Sequence, residues 1–209
     1  MIRAARGEPA RRPENMLAQL TTVKARLAIA PADVSQDDLL TRAIEAVSAR
    51  FDRECGRTLE RTVGAQHQFP ACETEIIPTC YPIEAVTKFE LKTSEGLGWE
   101  EQLGVEYLLR GRSVISLVLP LLPLGSALGR VTYTGGYVPP GTAAGPGQAP
   151  LPKDLEGAAT EQVAHWHQSK DKLGLLRHWP SGGTYLVLSQ LPLLPGVAVT
   201  LRRHQRWSV

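Results

Sequence analysis

The hydrophobic period changes twice along the chain, and those changes divide it. Met16, Leu20, Val23 and Leu27 recur at helical spacing before Pro31, which predicts a first helix over 14–29. Leu40, Ala43, Ile44, Val47, Phe51 and Cys55 share one face of a second helix, with Arg42, Glu45, Ser48, Asp52 and Arg53 outside it. Its predicted bounds are 36–55. Ser35 with Asp38 resembles a capping box, Asp37 and Asp38 suit the positive helix N-terminus, and Gly56 is a natural stop. Two amphipathic helices joined by a short turn predict an antiparallel hairpin.

From 58 to 137 the period falls to two. Thr87, Phe89, Leu91 and Thr93 alternate with Lys88, Glu90 and Lys92, and Val105, Tyr107 and Leu109 repeat the pattern more weakly. Ser113 to Leu119 reads as a more buried strand, and Val131 and Tyr133 alternate with threonines. Glycines and prolines separate these runs, and no helical pattern falls between them. The expectation is a small antiparallel β unit of about four to six strands, not a βαβ arrangement.

Residues 138–150 (VPPGTAAGPGQAP) are rich in Pro and Gly and carry no charge, which predicts a mobile surface loop. Pro152, Asp154 and Glu156 then open a helix whose stripe of Leu155, Ala159, Val163 and Trp166 extends it over 152–177. Beyond Trp179-Pro180-Ser181-Gly182-Gly183 the chain becomes apolar and Pro-punctuated, and 181–209 is expected as an extended C-terminal arm that needs another surface. The fold class expected is α+β: a basic flexible N-terminus over 1–13, one α+β domain over 14–180, and the arm.

Charge changes this picture only through its placement. The 209 residues sum to +2. Four arginines against Glu8 in 1–13, and three arginines without an acid in 201–209, leave the body between them at −4. The longest apolar run, Val114 to Leu124, is broken by Ser116, Pro120 and Pro123, so no segment is expected to span a bilayer. The N-terminus carries arginine but no apolar stretch, and no secretory signal is expected. Cys55, Cys72 and Cys80 are an odd count, which suggests reduced thiols and a cytosolic setting.

Candidate chemistry is sparse. His165 and His167, two apart on a helix, point about 200° away from each other and cannot share an ion. Cys72 and Cys80, with His67 nearby, lack the close pairs of a zinc knuckle, and Cys55 sits on a core face. No Gly-x-Ser-x-Gly elbow occurs, and Gly125-Ser126-Ala127-Leu128-Gly129 lacks the lysine of a phosphate loop. Glu100 and Glu101, adjacent on a strand, face opposite ways. No catalytic residue, metal ligand or cofactor is expected, and the chain is read as a non-enzyme. The basic tips carry more. Arg202, Arg203 and Arg206 beside Trp207, led in by Leu191 to Val199, combine charge, aromatic area and apolar area suited to a partner protein.

Taken in order, Glu54-Cys55-Gly56-Arg57, Tyr81-Pro82-Ile83, Val131-Thr132-Tyr133-Thr134-Gly135-Gly136-Tyr137 and Leu151-Pro152-Lys153-Asp154-Leu155 form a pattern that resembles the head–tail connector (adaptor, or head-completion) proteins of tailed bacteriophages. The resemblance covers 14–209, and the 138–150 loop departs from shorter members. It implies a virion neck protein, made in the host bacterial cytoplasm, that forms a ring of identical subunits, a dodecamer, below the portal. Such a ring extends the DNA channel, passes genomic DNA without sequence specificity, and receives the next connector, stopper or tail protein. Neither a cofactor nor a membrane is implied. The arm would then dock into the portal through Val197, Val199, Leu201, Arg202, Arg203, Arg206 and Trp207. Deletion from Leu191 onward is expected to abolish that docking and leave the monomer folded. Two alternatives stay open: a nucleic-acid-binding accessory protein using both basic tips, and a metal-dependent enzyme.

Overall fold

The computed structural model describes residues 16–123, 126–169 and 192–206. Two apolar cores organise it, one helical and one between sheets.

The helical core is built on α2 (Asp37–Cys55), whose Leu40, Ile44, Val47, Phe51 and Cys55 are all buried along one face. Gly56 ends it in the left-handed conformation at φ +63°. Its N–H bonds the Arg53 carbonyl and that of Arg57 bonds the Asp52 carbonyl, which satisfies two of the open acceptors at the helix end. The start differs from expectation. Gln36 occupies the N-cap, and Ser35 turns back to the Asp33 carboxylate at 2.6 Å, so no capping box forms. The first helix is also shorter than 14–29: α1 covers Leu20–Arg26. Ahead of it, Leu17 and Ala18 are buried, and the Leu17 N–H is taken by the buried Ser48 hydroxyl at 3.0 Å. Behind it, Ala28 adopts φ +57°, and the Ile29 N–H closes onto the Lys24 carbonyl.

The β unit comprises β1 (Thr62–Pro70), β2 (Glu75–Ile76), β3 (Ile83–Lys92), β4 (Glu100–Gln102), β5 (Tyr107–Arg110), β6 (Val114–Leu117) and β7 (Leu128–Gly135). They form an antiparallel four-stranded sheet in the order β1-β7-β3-β4 and a three-stranded sheet in the order β2-β6-β5. Phe69, Ile83, Phe89, Val131 and Tyr133 from the first sheet share one core with Ile76, Ile115 and Leu117 from the second. Of these strands β1 and the two-residue β2 have no counterpart in the sequence reading.

β8 (Tyr137–Val138) and β9 (Ala149–Pro150) pair in parallel and pinch the Pro/Gly loop at its base. Within the loop, Thr142 N–H bonds Pro139 O, and the Arg112 side chain reaches Gly147 O. α3 (Lys153–Gln168) follows, with Asp154 and Glu156 in its first turn and Leu155, Ala159 and Val163 buried. Pro152 is its N-cap rather than its first helical residue, and Ser169 caps its other end. The part of the expected 152–177 helix beyond 169 lies outside the described residues.

The extended C-terminal arm requires correction. Residues Pro195–Arg203 form a helix, α4, with Pro195 in the first turn and Val197 and Leu201 buried in the helical core beside α2 and α3. Poor helix formers such as Gly196, Val197, Val199 and Thr200 adopt this conformation because the Val197 and Leu201 pair, one helical turn apart, finds apolar cover.

Candidate functional site

The sequence motifs converge on the junction between the two cores. Leu59 belongs to the helical core, and its carbonyl accepts the Tyr137 N–H at 2.8 Å, while Arg61 N–H returns to Tyr137 O at 2.8 Å. Tyr81–Pro82 is a cis peptide, and Pro82 O accepts the Gly136 N–H at 2.9 Å. A Cβ on Gly135 would strike the Cys80 carbonyl, and one on Gly136, at φ +100°, would strike the Glu60 carbonyl. Glycine is required at both positions by close backbone approach. The Tyr133 hydroxyl accepts the Cys80 N–H at 3.0 Å. Burial pushes the Tyr133 hydroxyl and the Cys80 thiol above their usual ranges.

Two charged groups are buried at this junction. Arg57 is 5% exposed; its guanidinium lies 3.3 Å from the Tyr81 ring centroid and 5.4 Å from that of Tyr137, and it donates to the Tyr81 carbonyl. Its Nε has no hydrogen-bond partner among the described residues. Glu60 is 8% exposed, and burial, followed by the neighbouring charge of Asp52, pushes its carboxyl up to about 7.

The C-terminal segment closes over the same place. Buried Gln162 of α3 anchors its start, accepting the Leu194 N–H at 2.9 Å and donating to Pro192 O at 3.3 Å. At its end, Arg206 N–H bonds Cys55 O at 2.8 Å, the Arg206 side chain reaches Ile77 O, and His204 Nε2 lies 2.9 Å from the Asp154 carboxylate. Between α2, the β unit and this segment runs a groove of about 270 Å³, lined among others by Arg57, Tyr81, Tyr137, Arg203 and His204.

The residues expected to contact a partner are therefore divided. Val197 and Leu201 face the core, Val199, Arg202 and Arg203 face outward on the opposite side of α4, and Arg206 is engaged with α2 and the β unit. Trp207 lies outside the described residues. Deletion from Leu191 would remove two buried core side chains as well as the outer face, so the expectation of an intact truncated monomer is not supported by this packing.

The candidate metal residues are scattered. His167 contacts Gln36 Oε1 at 2.6 Å, Cys72 is exposed, and the buried Cys80 thiol donates to Gly135 O at 3.1 Å. His67 is held below its usual range, by burial and by Arg206. Among the described residues no three His, Cys, Asp or Glu side chains are grouped to hold a metal ion, and no helix is long and apolar enough to cross a membrane.

Sequence reasoning missed the groove. Arg57, Tyr81 and Tyr137 stood out as parts of motifs, but their convergence with Arg203 is a product of long-range packing that no local spacing signals.

No family model and no curated protein matches the sequence. Among solved structures, the fold is similar to that of a chain described as "Neck of empty GTA particle computed with C6 symmetry", with a TM-score of 0.57 and 14% sequence identity. The similarity covers 92% of this chain and 91% of that one. At this identity the shared property is the fold, and it is shared nearly end to end.

Proposed function

We propose that the chain is a structural head–tail connector subunit of a tailed-phage-like particle, acting in the neck. The observation that carries this reading is the near-complete fold similarity to a neck chain, in agreement with the motif order in the sequence. The subunits form a ring below the portal; a dodecamer is compatible with the C6 symmetry with which the structurally similar neck was computed. Its role is to extend the DNA channel, pass genomic DNA without sequence specificity, and offer a platform to the next connector, stopper or tail protein. The chain is a mechanical part with no chemical step.

The portal contact is assigned to the outward face of α4 around Val199 and Arg202. Val199 is an exposed apolar side chain flanked by unburied arginine, a residue type enriched among those that dominate interface energies. Val197 and Leu201 support this face from within.

Electron microscopy of the full chain mixed with portal rings tests the reading. Added ring density below the portal is expected, and its absence both on portals and in the free protein rejects the connector role. Val199→Asp with Arg202→Glu should abolish attachment while leaving the melting temperature unchanged. A nucleic-acid accessory role draws on the same exposed arginines, and tight duplex binding with steep salt dependence would favour it.

A further inference from the structure

The groove at the core junction holds positive charge without a counter-ion. None of Arg57, Arg203 and Arg206 makes an ion pair with a described residue. The Asp52 carboxylate is engaged by the Leu59 N–H at 2.9 Å, and His204 is already matched by Asp154. A buried guanidinium without a carboxylate is costly, and an incoming anion relieves that cost.

The opposite condition holds at the far end of the sheet. Glu100 and Glu101 of β4 and Glu106 in the approach to β5 are exposed and make no ion pair with a described residue. Glu106 lines a cavity of about 390 Å³ together with Leu103, 86% exposed, and Leu119, 74% exposed, and Glu100 and Glu101 lie on the short strand that leads into it.

These surfaces cannot meet within one chain. Ile83, at the start of β3, lies beside the groove, whereas Leu91 pairs with Glu100 eight residues further along the same strand, a separation of roughly 25 Å. We propose that the acidic tip around β4 of one copy seats in the Arg57–Arg203 groove of the next. This head-to-tail contact is heterologous, the type that closes into rings. It rests on the connector reading and supplies the ring's subunit interface. Duplex DNA fits the groove less well. Arg57 lies under Tyr81 and Tyr137, where an inserted side chain can approach it and a smooth phosphate backbone cannot.

Paired charge reversal tests the contact on the full chain, because the reversed residues are exposed. Sedimentation velocity would compare the wild type, Glu100→Lys/Glu101→Lys and Arg203→Glu, with thermal melts as folding controls. The wild type should self-associate in a salt-sensitive manner. Each reversed variant alone should associate at least about tenfold more weakly, because like charges then face each other. An equimolar mixture of the two variants should recover association, since every contact between them is again of opposite sign. Self-association unaffected by either reversal overturns the proposal but leaves the ring reading standing, as does a loss that mixing fails to restore. A wild type that stays monomeric also overturns it. Recovery of association into open filaments or closed dimers supports the contact and counts against the ring. Duplex DNA binding abolished by Arg203→Glu, with self-association unchanged, overturns the proposal and assigns the groove to nucleic acid.

Discussion

Replacing Glu60 by Gln should stabilise the protein at alkaline pH and leave it unchanged in acid. Glu60 is buried where the first strand leaves the helical core, and its carboxyl makes no ion pair with a described residue. Burial first and the Asp52 charge second raise it from the usual 4.5 to about 7. The folded protein therefore keeps a proton that the unfolded chain releases as pH climbs through 4.5. Stability from this group is complete below that point, declines between 4.5 and about 7, and stays low above it. The rise corresponds to about 3 kcal/mol at most, so Glu60→Gln should gain about 1–3 kcal/mol near pH 8 and less than about 0.5 kcal/mol near pH 4.5. Urea denaturation of both proteins across this range, with equal slopes, measures the difference directly. His67 acts with opposite sign, since its depressed value removes stability as pH falls, but it is common to both proteins and cancels. A difference that does not vary with pH would refute the reasoning. A variant less stable than wild type near pH 8 would refute it more pointedly, because it would mean that a cation such as Arg57 holds the ionised carboxylate.

Leu201→Ala should cost about 2–5 kcal/mol in urea denaturation, because Leu201 is 2% exposed inside the helical core. Val199→Ala, two residues earlier on the outer face, should stay within about 0.5 kcal/mol in the same assay. Gly136→Ala should lower the melting temperature sharply or prevent soluble expression, since its φ of +100° and the Glu60 carbonyl both exclude a side chain.

The parts of the fold that were legible in the sequence are those whose apolar period is set by one partner. α2 buries a single stripe and α3 a broader face that includes one, so Leu40, Ile44, Val47 and Phe51, or Leu155, Ala159 and Val163, announced their helices. β3 and β7 alternate because one face of each meets the sheet core. β1 was not legible: it is an edge strand, mostly exposed, and its sequence TVGAQHQFP places polar residues on both faces. Its path is set by pairing with β7, a contact invisible to local pattern. α4 misled for a different reason. Val197, Val199 and Leu201 also fit a period of two, and only the cover supplied by α2 and α3 selects the helix. Pro195 in the first turn was the local signal for it.

The same distinction separates what the motifs report from what they do not. Gly56, Arg57, Tyr81, Tyr133, Gly135, Gly136 and Tyr137, the residues that carry the resemblance, close the joint between helices and sheets through backbone approach, ring stacking and buried hydrogen bonds. Their chemistry is a requirement of the joint whatever the protein attaches to. In the connector reading proposed above, specific attachment falls instead to exposed side chains outside the joint: Val199 and Arg202 on α4, Arg203 at the groove, and the carboxylates around β4. Among the described residues these side chains make no ion pair. Exchanging them while holding the joint constant should change which surfaces the protein joins, and leave unchanged whether it folds.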